Sequence, residues 1–115
     1  MKLIHKKCLP CHKGTLPLSK KKALSYLQEL SEWRLAGNAK RIEAGYRMKN
    51  FISAVKLIQK IAAIAEKEDH HPDIHLTGYR NLKIELSTHA IGGLSENDFI
   101  LAAKISRLPK DLKLA

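Results

Sequence analysis

Two adjacent histidines stand in the run Asp69-His70-His71-Pro72, with Glu66 and Glu68 before it and Asp73 after it. This is the one acid-rich island in a strongly basic chain. A third histidine, His89, follows after one turn signal. Imidazole titrates near neutrality, so a cluster of histidines can both take and give protons, and neighbouring carboxylates favour its charged form. The chemistry on offer is paired general acid and general base catalysis.

Proline disfavours helical geometry in the residue before it. Pro72 therefore predicts an extended His71 at a helix end, with the pair held at a boundary between elements. Two other readings use the same residues. Histidines at a helix C-terminus meet its exposed carbonyls and favour the helix without touching a substrate. Three histidines, here His70, His71 and His89, can also bind zinc.

The elements that must position these residues are legible in the hydrophobic period. Ser19 is a candidate N-cap for a first helix whose stripe, Ala23, Leu24, Leu27 and Leu30, runs to about Ser31. Trp33 and Leu35, then Ile42, Ala44, Tyr46 and Met48, alternate with polar neighbours on either side of Gly37-Asn38, which predicts a hairpin with one buried face. Asn50 caps the longest helix, with Phe51, Ala54, Ile58, Ile61 and Ala65 in phase. Pro72 requires it to end near Asp69. A second hairpin carries Ile74 and Leu76, a turn at residues 78–81, and Leu82, Ile84, Leu86 and Thr88 in one phase. An unbroken strand would place His89 in the opposite phase, off the apolar face. Gly92-Gly93 breaks the pattern, and Ser95-Glu96-Asn97-Asp98 reads as a capping box for the last helix, which Pro109 ends. Asp98 can hold that helix start and serve a site at once. The order helix, two strands, helix, two strands, helix predicts an α+β domain with an antiparallel four-stranded sheet and helices packed on one face. Its open edges offer a route to a dimer.

At 115 residues the chain is expected to form one domain over residues 18–115, preceded by a basic arm at residues 1–17. The formal net charge is +10, and seven lysines fall in the first 22 residues with no acid among them. No aromatic residue is interleaved with those lysines and no nucleic-acid recognition signature is present, so a solvated arm is favoured over nucleic-acid binding. Cys8 and Cys11, flanked by His5 and His12, make a zinc site conceivable, against free thiols in a loose arm. No apolar run is long enough to span a bilayer and the first residues lack the core of a signal peptide, so the simplest expectation is a cytoplasmic protein.

Glu66, His70-His71-Pro72, Tyr79, His89 within Ser87-Thr88-His89-Ala90, Gly92-Gly93-Leu94-Ser95 and Asp98, in this order and spacing, resemble the signature of the pterin-4a-carbinolamine dehydratases. Trp33, and Phe51 with Ala54, extend the resemblance over most of the chain. The resemblance implies dimers or tetramers, no cofactor and no catalytic metal. The implied reaction is dehydration of 4a-hydroxytetrahydropterin, the carbinolamine left by a pterin-dependent aromatic amino acid hydroxylase, to quinonoid dihydropterin in tetrahydrobiopterin recycling. The hydroxyl on carbon 4a must be protonated as it leaves and nitrogen 5 must lose its proton, which one acid and one base supply. By position, the resemblance implies that His70 and His89 flank the 4a hydroxyl and that His71 completes the constellation. It further implies that Asp69 and Glu66 orient the histidines. Pro72 belongs to the binding run, and the backbone at Ser87, Thr88 and Ala90 binds the pterin edge. Asp98, Tyr79 and Trp33 are supporting candidates, although a turn tyrosine and a core tryptophan are equally ordinary. Animal members of the family also serve as dimerisation partners of a transcription factor, so the alternative function is an interaction module using the basic surface.

Overall fold

The computed structural model describes residues 3–10 and 15–114. Within them the chain forms α1 (Lys20–Leu27), β1 (Arg34–Ala36), β2 (Arg41–Arg47), α2 (Phe51–Glu68), β3 (Asp73–Thr77), β4 (Asn81–Leu86) and α3 (Glu96–Ser106). Short 3-10 turns lie at Leu3–His5 and His89–Ile91. The strands build one antiparallel sheet in the order β1-β2-β4-β3, the α+β arrangement expected from the sequence.

Side-chain alternation decides which face of the sheet is covered. Ile42, Ala44 and Tyr46 of β2 are buried, and so are Leu82, Ile84 and Leu86 of β4. They share a core with Ala54, Leu57 and Ile61 of α2 and with Phe99, Ile100 and Leu101 of α3. The opposite phase carries charge. Arg34 pairs with Glu43 at 2.8 Å, Arg41 with Glu85 at 2.7 Å, and His75 with Glu85 at 2.6 Å. Register places Asp73 opposite Glu85 and Arg47 opposite Asn81 on that same outer face. His75 is thereby committed to the sheet surface, apart from the other two histidines of its segment.

Three boundaries differ from the sequence expectation. The first helix ends at Leu27 rather than near Ser31, because Gln28, Glu29 and Leu30 donate to carbonyls three residues back and tighten the chain; Leu30 is still buried. Trp33 precedes β1 instead of opening it. Met48 lies beyond β2 in an isolated bridge with Leu112. Both expected caps are present, with Ser19 accepting from the Lys22 N–H and Asn50 from the Ser53 N–H.

The amino-terminal residues also differ from expectation. Residues 3–10 are a docked strap rather than a loose arm. Leu3 is buried in the core, and Lys6 reaches Glu96 at the start of α3 at 2.6 Å.

Candidate active site

The site begins where α2 stops. Asp69 takes the left-handed conformation, φ 52 and ψ 43, and its N–H closes on the carbonyls of Ala65 and Glu66, while the His70 N–H reaches Ala65 O at 3.2 Å. Few L-residues tolerate this conformation; aspartate is one, and a left-handed residue is a common helix stop. The chain then turns so that His70 meets the start of α3.

There it meets Asp98, which is fully buried. Asp98 Oδ1 lies 2.6 Å from His70 Nε2, and Oδ2 accepts from the Thr88 hydroxyl at 2.9 Å and from the Ser95 N–H at 3.0 Å. The last of these is the carboxylate half of the capping box expected from the sequence. Asp98 therefore caps α3 and holds the site together. A carboxylate can only accept, so His70 presents an N–H at Nε2, and its neutral ring keeps the lone pair on Nδ1.

Thr88 opens the loop that carries His89. Its N–H donates to Gly93 O at 2.8 Å and its carbonyl accepts from the Gly93 N–H at 3.4 Å, pinching residues 88–93 closed. Gly92, at φ 67, ends the 3-10 turn within the loop. A Cβ on Gly93 would come within 2.7 Å of Pro17, so glycine is required by close approach. This corrects the expectation of a strand reaching His89. The ladder ends at Leu86 because Thr88 pairs with Gly93 instead, and His89 stands exposed at the head of the turn, with no ring hydrogen bond to any described residue.

A cleft of about 510 Å³ lies between the end of α2 and this loop. His70, His71 and His89 line it, together with Asp69, Ser87, Thr88 and Ala90. Pro72 and Glu66 stand outside the lining. Glu66 nevertheless reaches His71, its Oε2 accepting from the ring N–H at Nε2. Two candidates lie elsewhere. Trp33 is buried and donates to Ser106 Oγ at 2.9 Å, a core role. Tyr79 is exposed in the left-handed half of the β3–β4 turn, next to Gly78 at φ 54, a turn role. A larger cleft of about 640 Å³ at the β1–β2 turn has neither histidine nor carboxylate in its lining.

The sequence reading missed the third wall. Residues 7–10 of the strap line the cleft. The Cys8 N–H donates to buried Glu68 Oε1 at 2.8 Å, and Glu68 Oε2 pairs with Lys104 at 2.8 Å. The Leu9 N–H donates to Asn97 Oδ1 at 2.9 Å, and Asn97 Nδ2 donates back to Leu9 O. The signal was present in the acids of the island and in the capping sequence, but neither Glu68 nor Asn97 has a spacing that announces a partner near residue 8. Burial and Glu68 push the Cys8 thiol up to about 12, so it is protonated at neutral pH. Cys11 and His12, the other half of the conceivable zinc motif, lie outside the described residues. Among the described residues no three His, Cys, Asp or Glu side chains converge closely enough to hold a metal ion.

The strap's anchors predict an acid response. Burial works to raise the Glu68 pKa, but hydrogen bonds from Lys104 and the Cys8 N–H outweigh it and leave the group below the ordinary glutamate value. Glu96 is lowered chiefly by Lys6, with burial opposing and Tyr26 assisting. A depressed carboxylate stabilises the fold above its unfolded value and loses that contribution as pH falls through the folded value. Amide protection at Cys8 and Leu9 is therefore expected to be constant from about pH 8 to 5 and to drop below about pH 4.3, measured by hydrogen exchange. Unchanged protection at the acid end would contradict the assignment of these anchors.

The sheet, the pinched loop and the buried carboxylate gather a histidine–carboxylate cluster at a cleft on an α+β scaffold. The chain belongs to the pterin 4 alpha carbinolamine dehydratase family, whose sequence model matches residues 16–108. It is 47% identical over 106 residues to the mitochondrial pterin-4-alpha-carbinolamine dehydratase 2 of Arabidopsis thaliana, covering 90% of this chain and 57% of that protein. It is 43% identical over 108 residues to a Halorhodospira halophila protein that carries the pterin-4-alpha-carbinolamine dehydratase name, covering 94% and 98% of the two chains. The crystal structure of a transcriptional coactivator/pterin dehydratase from Brucella melitensis superposes with a TM-score of 0.73 at 28% identity, over 78% of this chain and 95% of that one. No helix among the described residues is long and apolar enough to cross a membrane.

Proposed function

We propose that the chain dehydrates 4a-hydroxytetrahydropterin to quinonoid dihydropterin by histidine acid/base catalysis in the cleft between α2 and the pinched loop. The observation that carries this reading is the buried Asp98, which holds His70 directly and the His89 loop through Thr88. His70 is the base. Its Nε2–H is committed to Asp98, its Nδ1 takes the proton from nitrogen 5, and the carboxylate stabilises the imidazolium that results. His89, exposed in the same cleft, is the acid that protonates the departing hydroxyl. One proton is taken and one given, so the pair returns to its starting state once the two histidines re-equilibrate through solvent. His71, paired with Glu66, flanks the ring, and Asp69 fixes the turn that aims His70. The backbone at Ser87, Thr88 and Ala90 meets the pterin edge. The sheet is open at β1 and β3, which supports assembly into a dimer or tetramer through edge pairing.

The physiological setting consistent with this chemistry is pterin recycling beside a pterin-dependent aromatic amino acid hydroxylase. The test is the rate at which carbinolamine generated in situ by such a hydroxylase disappears with and without the protein. Acceleration over the spontaneous rate is expected. A rate equal to the spontaneous one would transfer the assignment to the interaction reading, which the Brucella structure's designation as a coactivator supports.

A further inference from the structure

The histidines occupy two walls of the cleft, and the proposed chemistry leaves the third, the strap, without a task. It lies outside the residues that the family model matches. Its placement is nevertheless fixed from both sides of the catalytic pair. Cys8 is tied to Glu68, two residues before His70, and Leu9 is tied by two hydrogen bonds to Asn97, one residue before Asp98. Glu68 and Asn97 are both buried, and Glu68 is neutralised by Lys104. Buried polar anchors of this kind are costly to leave unpaired, so they hold backbone in one place. What they hold in place is a rim. Leu9 has its side chain largely in the open, at 71% exposure, beside Pro10 and Lys7, while Lys67 stands on the α2 side of the same cleft.

We propose that residues 7–10 form a specificity wall that contacts the substituent on carbon 6 of the pterin ring. The inference rests on the pterin reading above. With the reacting carbon at the histidines and the hydrogen-bonding edge at residues 87–90, the part of the ligand left for the strap is the side chain of the ring. An apolar surface at Leu9 and Pro10 rimmed by the ammonium groups of Lys7 and Lys67 suits a substituent longer than a methyl group with a polar end. Leu9 and Pro10 are specificity residues, and Asn97 is a positioning residue that acts through them.

The test is equilibrium binding of two stable oxidised pterins, biopterin with its dihydroxypropyl chain and a pterin bearing only a methyl at carbon 6, to wild type, Leu9→Gly and Asn97→Ala. Wild type is expected to prefer biopterin. Each variant is expected to cut that preference about 5-fold, through weaker biopterin binding, with methyl-pterin affinity nearly constant. Leu9→Gly leaves the buried anchors in place, so it reports even where Asn97→Ala disturbs folding. An equal loss for both pterins, or an unchanged ratio, would overturn the wall. Failure of folded wild type to bind either pterin would instead overturn the pterin reading, and the wall with it.

Discussion

His89→Ala is expected to lower kcat for carbinolamine dehydration by about 10²- to 10⁴-fold, the usual worth of one positioned acid or base, while moving the melting temperature by no more than a few degrees. The two halves of that expectation come from different observations. His89 lines the cleft, so its loss removes the proposed proton donor. Its ring is exposed and makes no hydrogen bond to a described residue, so the fold loses little, as for most surface substitutions. His70→Ala is the instructive comparison, because it should cost a similar factor in rate and also destabilise the protein. His70 is mostly buried against Asp98, and its removal leaves one carboxylate oxygen without its partner. Steady-state kinetics beside thermal melts separate the two variants. Full acceleration by His89→Ala would remove His89 from the mechanism.

Asp98→Ala is expected to be the most damaging single change in the site, costing about 3 kcal/mol of stability and abolishing measurable dehydration. The side chain makes three hydrogen bonds while fully buried, to His70, to the Thr88 hydroxyl and to the Ser95 N–H. Its loss uncaps α3, frees the His89 loop and releases the His70 ring together. A loss of that size lowers the melting temperature by roughly 10–20 °C in a domain of this length. Asp98→Asn separates chemistry from folding. The amide keeps one oxygen to accept from the loop and the cap, but offers His70 a donor where it needs an acceptor. The neutral ring must then move its proton to Nδ1, and the proposed base is lost. Asp98→Asn should melt closer to wild type than Asp98→Ala and still lose about 10²-fold or more in kcat. An asparagine variant with the wild-type rate would show that the tautomer of His70 does not matter.

The helices, hairpins and caps were legible because each rests on local chemistry. Asn50 and Ser19 cap as their side chains dictate, and the alternation through β2 and β4 matches the buried face. The gathering of His70, His71 and His89 could be expected from family spacing, and the cap at Asp98 from Ser95 three residues earlier. Its second role could not be read locally, since His70 is 28 residues away in sequence. The same limit hid the strap, whose partners Glu68 and Asn97 are about 60 and 88 residues from Cys8 and Leu9. Trp33 and Tyr79 were carried by the resemblance alone, and the structure places them in the core and in a turn.

The charged outer face of the sheet has a consequence for the molecule's electric field. There Arg34, Arg41, Arg47 and Lys83 stand among Asp73, Glu43 and Glu85, so that face is nearly self-neutralising. That face therefore holds four cations against three carboxylates, and nearly all of the +10 excess lies off it. The protein is electrically two-sided. An anion arriving within a screening length, about 8 Å at physiological ionic strength, is drawn less to that face than to the rest of the molecule before any contact forms. Added salt erases that orientation and slows the encounter without altering the cleft itself.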